Sequence, residues 1–284
     1  MQKKIAHILN GREKQITPEE KVLQPLPHKD FRFASPFIVL HHMVEKEIIA
    51  GQELRIHPHP HRGFAPVTFM LQGEGYHKDN AGHNSVIKAG DVQWMFAGKG
   101  LLHSEGPSEN FLKTGGRYEL IQLWINVPQK HKLSEPFYQL ASKESLPKIF
   151  LQNGAEFRLA SGKYDNYNGP LKSFTPIISM FGEAKKCSQI QLNAQEGYWT
   201  LLYIVKGKIL MNCETVEEHQ LIIFEKENDE IFFSTTEDTQ LLYLSAEPID
   251  EPVAAKDNFV MNTDEEINQA LSDYKNGKFG TLSF

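Results

Sequence analysis

The segment His57-Pro58-His59-Pro60-His61-Arg62-Gly63-Phe64 decides how this chain is interpreted, together with His103-Ser104-Glu105, which begins forty-two residues after His61. Side chains at positions i and i+2 of an extended strand point the same way. His103 and Glu105 therefore share one strand face, as do alternate histidines of the first segment. Three neutral imidazoles and one carboxylate suit a divalent transition metal with an open coordination position. The sequence predicts a mononuclear metal protein, with an oxygenase as the first functional hypothesis.

The choice of ligands within the first segment is a question of register. His57, His59 and His61 would all lie on one face of a regular strand, so their spacing alone does not choose between them. The intervening prolines fix φ and remove hydrogen-bond donors, which favours an extended segment at a sheet edge. The alternative is a polar loop that binds metal adventitiously. The second half-site, His103 and Glu105, argues against that alternative.

Composition narrows the class of protein. The chain has 284 residues, 40% of them hydrophobic, and a formal net charge of −6, which gives no electrostatic case for direct nucleic-acid binding. No run of about 18 apolar residues is present, and the first residues lack the apolar region of a secretory signal, so we expect a cytoplasmic protein without a membrane segment. Cys187 and Cys213 are expected to be buried small hydrophobic residues rather than ligands, although a disulfide between them stays open.

Short β-type runs separated by glycine turns dominate the chain and predict a sandwich or barrel. The clearest runs are Phe37-Ile38-Val39-Leu40, Val67-Thr68-Phe69-Met70-Leu71, Val92-Gln93-Trp94-Met95-Phe96 and Leu120-Ile121-Gln122-Leu123-Trp124-Ile125. The second half repeats the plan, with Leu201 to Lys208 resembling Val67 to Glu74. We therefore predict an all-β protein of two stacked β-barrels. The predicted divisions are residues 1–130 with the metal, 131–256 without a metal set because only His219 remains after His131, and a helical tail at 257–284.

The tail carries a helix signature. Thr263-Asp264-Glu265-Glu266 forms a capping box, in which Thr263 and Glu266 satisfy each other's free amides. An apolar stripe at helical spacing follows and comprises Ile267, Ala270, Leu271 and Tyr274. Gly277 is a stop signal. We expect this helix to pack on one of the barrels.

The other histidines carry weaker signals. His77 and His83 flank the turn at 79–82 and are expected to be exposed loop residues rather than ligands. His41 and His42 follow an apolar strand, and adjacent residues point to opposite faces, so at most one of them faces the barrel interior. A proton-carrying role for that histidine and a plain strand-end position are about equally supported.

The longer motifs resemble the pirin family of the cupin superfamily. They are His59-Pro60-His61-Arg62-Gly63-Phe64, the run Gly90-Asp91-Val92-Gln93-Trp94-Met95 through Gly98-Lys99-Gly100 to His103-Ser104-Glu105, Leu123-Trp124-Ile125-Asn126, and the C-terminal Glu247 to Pro252 followed by Phe259 to Thr263. The resemblance runs from about residue 12 to Gly280. It implies two cupin (jelly-roll type) barrels, a bicupin, with iron in the N-terminal barrel. By motif, the ligands would be His59, His61, His103 and Glu105, which leaves His57 outside the ligand set.

The resemblance also implies candidate activities. One is a quercetin 2,3-dioxygenase that cleaves flavonol-type substrates with O₂, in which Glu105 would be the catalytic base. Another is a non-enzymatic regulatory protein that binds a protein partner according to the redox state of its metal, and a third is a structural cupin. Iron is the first expectation, with Mn, Co, Ni, Cu or Zn as alternatives. The chain departs from the family pattern at Ala65-Pro66 and His41-His42, where acidic residues are usual, and these departures bear on the identity of the small aromatic substrate.

Overall fold

The computed structural model describes residues 1–18, 20–52, 54–151 and 154–283. Two compact units divide the chain, and neither is continuous in sequence. The first comprises Met1–Glu13, Leu23–Pro36 and Glu144–Pro248, and the second comprises Lys14–Val22, Phe37–Lys143 and Ile249–Phe284. The predicted domain limits at residues 130 and 256 stay a prediction; these compact units divide at Lys143/Glu144 and Pro248/Ile249.

Strands make up most of the described chain. Those before residue 143 are β1 Ile5–Asn10, β2 Arg12–Gln15, β3 Lys21–Leu26, β4 Phe37–Ile48, β5 Ile56–His61, β6 Phe64–Gln72, β7 Glu74–Asp79, β8 Asn84–Lys88, β9 Val92–Phe96, β10 Leu101–Pro107, β11 Gly116–Asn126 and β12 Phe137–Ala141. Those after it are β13 Lys148–Leu151, β14 Ala155–Ser161, β15 Lys163–Tyr164, β16 Tyr167–Asn168, β17 Ile177–Ala184, β18 Gln189–Asn193, β19 Trp199–Lys206, β20 Lys208–Met211, β21 Glu214–Glu217, β22 Gln220–Phe224, β23 Glu230–Thr235, β24 Thr239–Ala246, β25 Ala254–Lys256 and β26 Phe259–Met261. The α-helices in the described part are α1 Glu109–Thr114 and α2 Asp264–Lys275.

The internal repeat is visible in the strand order. In the second unit, β12-β9-β6-β11-β4 are successive neighbours in one sheet, and β5-β10-β7-β8 form the other. In the first unit, β1-β22-β19-β24-β17 occupy the same places, and β18-β23-β20-β21 form the matching four-stranded sheet. Each predicted apolar run lies within one of these strands. The prediction of an all-β protein of two cupin barrels with a C-terminal helix is confirmed.

Side-chain burial explains why these segments form strands. In β18, buried Ile190 and Leu192 alternate with exposed polar residues, as expected for a strand with one face on the core. The segment β9 is buried at every position, which fits a strand that is covered on both faces. Each unit has its own apolar core, so each can be stabilised by burial of its own side chains.

The C-terminal helix follows the predicted signature. Thr263 accepts from the amide of Glu266, whose carboxylate accepts from the Thr263 amide, so the capping box is complete. Ile267 and Ala270 are buried in a cluster with Leu102 of β10 and with Phe259 and Met261 of β26. Tyr274, which was predicted to lie on the same stripe, is 41% exposed. The helix therefore packs on the second unit through a narrower apolar face than the sequence indicated.

Candidate metal centre

Pairing of β5 with β10 brings three histidines together. His103 lies directly opposite His59, and Leu101 lies opposite His61, so the three imidazoles share one face of the small sheet. The ring centres of His59 and His61 are 4.9 Å apart, those of His59 and His103 are 4.2 Å apart, and those of His61 and His103 are 4.8 Å apart. One nitrogen from each ring lies within 4.8 Å of the other two.

The hydrogen bonds around this triad leave nitrogen lone pairs free to bind a metal. His59 Nδ1 donates to the main-chain oxygen of His57 at 2.8 Å, and His61 Nδ1 donates to that of Asn258 at 3.3 Å. A carbonyl oxygen only accepts, so both rings carry their proton on Nδ1 and turn a bare Nε2 inward. Nε2 of His61 and both nitrogens of His103 are buried without a partner. Buried polar atoms without partners are rare, and a bound cation would give a partner to Nε2 of His61 and to one nitrogen of His103.

Electrostatics keep His61 and His103 neutral. Burial lowers the pKa of His61 well below its ordinary value, and the neighbouring His59 lowers it further. Burial and the same neighbour act in the same direction on the pKa of His103. A metal binds the unprotonated imidazole, so this environment favours the form of the ligands that binds. Three neutral nitrogen donors fit the predicted class of transition metal.

Glu105, the fourth predicted ligand, lies outside the group of three. His103 and Glu105 keep a regular register against β7, so they share one face of β10, and the register shift against β5 comes from an extra residue in β5. Both carboxylate oxygens of Glu105 accept from Nε2 of Gln122 at 3.0 Å, and Oε1 of Gln122 accepts from Nε1 of Trp124 at 3.2 Å. Gln122 of β11 therefore holds the Glu105 carboxylate in a fixed orientation.

A cavity of about 50 Å³ lies within the second unit beside Glu105. Apolar side chains such as Met43, Leu54 and Met70 form much of its wall. Its polar lining comprises Glu20, His41, Arg55, Thr68, Tyr76, Gln93, Glu105, Tyr118 and Gln122. The cavity is small compared with the pockets of about 300–1,000 Å³ that usually hold drug-sized ligands.

His41 and His42 point to opposite sides of β4, as predicted. His41 lines the cavity, where burial lowers its pKa to about 3, so it is neutral at pH 7. His42 is fully buried, and its Nε2 lies 3.0 Å from Oε1 of Glu119. The chain departs from the family pattern at His41-His42 and at Ala65-Pro66. Of the first pair, His41 lies at the cavity. Ala65 and Pro66 are not part of the cavity wall.

The expectation for His77 is wrong. His77 is fully buried in β7 rather than exposed in a loop, because the strand continues to Asp79 before the turn. His77 Nε2 lies 3.0 Å from Oδ2 of Asp79, and His83 Nδ1 lies 2.9 Å from the same oxygen. Burial alone would raise the pKa of Asp79, but hydrogen bonds from these two histidines lower it. His83 is partly exposed, so the expectation holds only in part for that residue.

Sequence reasoning also missed the hydrogen bonds of Arg62, which follows His61 in the chain, and those of Lys132. The guanidinium of Arg62 donates from Nε to the main-chain oxygen of Lys99 at 2.6 Å. It also donates from Nη1 to Oδ2 of Asp273 at 2.8 Å. Lys132 is buried, and its Nζ donates to Asn126 Oδ1 at 2.5 Å and to the main-chain oxygens of Gly63 and Val260. Because most of these partners are main-chain atoms or lie about 200 residues away, local sequence carried no signal for them.

The cysteines also differ from expectation. Cys187 and Cys213 are free thiols on the surface, not buried small residues. Both have positive φ, 66° and 65°, so they stand at turns where the chain leaves the regular strand. Neither is part of the histidine group.

Comparison with known proteins agrees with this geometry. A family model described as Pirin matches residues 16–125, and one described as Pirin C-terminal cupin domain matches residues 182–280. The chain belongs to the pirin family. Pirin-1 from Arabidopsis thaliana is 37% identical over 228 residues, which cover 78% of this chain and 77% of that protein.

Solved structures of other proteins are similar to this fold. A quercetin 2,3-dioxygenase from Acinetobacter baumannii matches with a TM-score of 0.94 and 33% identity, covering 100% of both chains. The protein GK1651 from Geobacillus kaustophilus matches with a TM-score of 0.77 and 27% identity, covering 89% of this chain and 99% of that one. Neither α-helix in the described ranges has the length and apolar character needed to cross a membrane.

Proposed function

We propose that this pirin holds one transition metal at His59, His61 and His103, with Glu105 as a further ligand, and acts as a dioxygenase. The observation that carries the proposal is the convergence of three imidazoles, two of which have buried nitrogens without partners, on the same strand pair as Glu105, which lines a cavity. The similarity to the Acinetobacter quercetin 2,3-dioxygenase supports a small aromatic, flavonol-type substrate and O₂ as reactants. A cytoplasmic location remains part of this proposal.

Iron is the metal we propose, with Mn, Co, Ni, Cu or Zn as alternatives that the same donors would accept. The donor set is mixed nitrogen and oxygen, which suits any of these ions, so availability decides among them. When bound, the metal would supply a Lewis acid and open positions for oxygen ligands.

The residues of the chain would move the substrate proton and hold the substrate. Glu105 faces the cavity and would take the hydroxyl proton of a bound enol or phenol as general base. Gln122 fixes the carboxylate by donating to both of its oxygens, and the Trp124 indole in turn fixes Gln122. Neutral His41 and the apolar wall would exclude water from the reacting face.

Oxygen consumption tests the dioxygenase. Purified protein loaded with each candidate metal is mixed with quercetin, and O₂ uptake is recorded with an electrode. We expect uptake in the parent, its loss in Glu105→Gln with metal retained, and no change in Glu135→Gln, which alters an exposed carboxylate that is 78% accessible. Absence of uptake with every metal, or full activity in Glu105→Gln, would contradict the mechanism.

The small cavity favours a second candidate function. At about 50 Å³ the cavity must widen before a flavonol fits, and a regulatory protein that responds to the redox state of its metal needs no such space. The test is hydrogen exchange of the iron-loaded protein in its reduced and oxidised forms. Changed protection of β5 and β10 between the forms, without O₂ uptake, would support the regulatory role. Identical exchange would argue against it.

A further inference from the structure

A fourth histidine stands next to the triad and has no place in the proposed mechanism. His77 is fully buried, and its Nδ1 lacks a hydrogen-bond partner among the described residues. Its ring centre lies 5.4 Å from that of His103, with 38° between the ring planes. Two imidazoles whose facing nitrogens are at hydrogen-bond distance have centres roughly 5 Å apart. The two rings are therefore close neighbours, although the structure shows no hydrogen bond between them.

The proton on His77 can be assigned from its other contact. Its Nε2 lies 3.0 Å from Oδ2 of Asp79, and the side chains of both residues are fully buried. An ionised carboxylate only accepts, so Nε2 carries the proton and Nδ1 is left as an acceptor. Asp79 is itself fixed, because its Oδ1 accepts from the amides of Ala81 and His83 at 2.9 and 3.0 Å.

A metal-bound His103 would need a hydrogen-bond acceptor. Both of its ring nitrogens are buried without partners. If one nitrogen gives its lone pair to a metal, the other carries the proton and requires an acceptor. The unpartnered Nδ1 of His77 is an acceptor beside that ring. His77 thus offers an acceptor without a donor, and a metal-bound His103 would offer a donor without an acceptor.

Packing prevents His77 from turning away. Tyr138 of β12 stacks on its ring, with centres 4.7 Å apart and only 19° between the planes. The hydroxyl of Tyr138 donates to Oε1 of Gln93 at 3.0 Å, so the stacking partner is also held. A ring held between Tyr138 and Asp79 keeps its Nδ1 in a constant direction.

We propose that in the metal-bound protein His77, oriented by Asp79, accepts a hydrogen bond from His103 and so positions His103 as a ligand. The inference rests on the proposed metal centre and assigns a role to a residue outside its ligand set. A carboxylate behind a histidine that supports a ligating histidine would fix the tautomer of the ligand and raise its basicity. His77 and Asp79 are positioning residues and make no contact with substrate in this account.

Binding of Co²⁺ to the full-length protein tests the proposal without requiring turnover. The measurements are affinity by chelator competition and the visible absorption bands of the bound Co²⁺. His77→Phe keeps a ring of similar shape but removes the acceptor, and we expect about a 10–100-fold loss of affinity with shifted bands. His77→Asn keeps an acceptor near the Nδ1 position and should recover part of the affinity.

His83→Gln is the matched control. His83 also contacts Asp79 and stacks near Tyr138, with ring centres 5.3 Å apart, but it is partly exposed and makes no ring contact with His103. We expect parent affinity and parent bands for this variant. Equal losses in His83→Gln and His77→Phe would show a general packing effect and overturn the proposal.

The remaining outcomes are also decisive. Parent affinity and bands in His77→Phe overturn the proposal directly. If His77→Phe does not fold, as judged by circular dichroism without metal, Asp79→Asn takes its place, and parent-like binding in that variant overturns the proposal. A parent that binds Co²⁺ but consumes no O₂ contradicts the dioxygenase alone, whereas a parent that binds no Co²⁺ removes the metal centre and this inference together.

Discussion

The ion pair between Arg62 and Asp273 predicts a large stability difference between two substitutions on the tail. Arg62 follows His61, a proposed ligand, directly, and its Nη1 lies 2.8 Å from Oδ2 of Asp273. The two side chains are only 9% and 12% exposed. Asp273→Ala leaves the guanidinium buried without a counter-charge, whereas Lys278→Ala removes only the exposed partner of the same carboxylate.

The loss of stability expected for Asp273→Ala follows from the burial of the Arg62–Asp273 ion pair. Removing one partner of a buried ion pair usually costs about 3–5 kcal/mol. We expect the lower end, about 3 kcal/mol, because Arg62 keeps its hydrogen bond to the Lys99 oxygen and its position over the Phe279 ring. At about 2–4 °C per kcal/mol for a domain of this size, Tm should fall by roughly 6–12 °C. Lys278 is 62% exposed, so Lys278→Ala should cost less than about 1 kcal/mol.

The difference in stability between the parent and Asp273→Ala should depend on pH. Hydrogen bonds from Lys278 and Arg62 hold the pKa of Asp273 well below its usual value. A group whose pKa is lower in the folded state stabilises the fold above its unfolded pKa, about 3.9, and this stabilisation is lost as pH falls through the folded value. The stability gap between parent and Asp273→Ala should therefore be full at pH 7 and shrink below about pH 4. Thermal and urea unfolding followed by circular dichroism measure the gap, and equal losses for Asp273→Ala and Lys278→Ala would refute the reasoning.

Three further predictions concern the same unit and the surface thiols. Gly63 has φ 82°, and a Cβ there would lie 2.2 Å from the Val260 oxygen, so Gly63→Ala should destabilise the fold by more than about 1 kcal/mol in urea unfolding; an unchanged midpoint would contradict this. Burial lowers the pKa of Lys132 to about 7, so between pH 7 and about 10.4 the unfolded chain binds more protons and stability should rise with pH. That rise should disappear in Lys132→Met, and its persistence there would assign it to another group. Cys187 and Cys213 should both react with Ellman's reagent in the native protein, and a disulfide would leave no reactive thiol.

The strands and the start of the C-terminal helix could be predicted because each depends on residues that are close together in the sequence. The apolar runs and glycine turns located the strands, and their repetition anticipated the matching strand orders of the two units. The capping box at Thr263 and Glu266 located the start of the C-terminal helix, because a cap is a contact between residues three apart. The histidine spacing brought His59, His61 and His103 to one sheet face once β5 and β10 paired.

Burial and long-range contacts explain what the sequence missed. A histidine next to a turn is usually exposed, and nothing local to His77 indicates that Tyr138 covers it. The acceptor for His61 is the main-chain oxygen of Asn258, which any residue type would provide. The hydrogen bond from Gln122 to the Glu105 carboxylate joins β11 to β10, so the i, i+2 spacing within β10 carries no signal for it.

Metal content per chain is the most direct test of the proposed centre. The protein is purified without chelators, its metals are measured by mass spectrometry, and the same measurement is made on His61→Ala and on His131→Ala, a partly exposed histidine outside the group of three. The account predicts one transition metal per chain in the parent and in His131→Ala. It also predicts loss of that metal in His61→Ala while the circular dichroism spectrum stays unchanged. A parent without metal even after loading, or a folded His61→Ala that retains the full amount, would contradict the claim that these histidines form a metal centre.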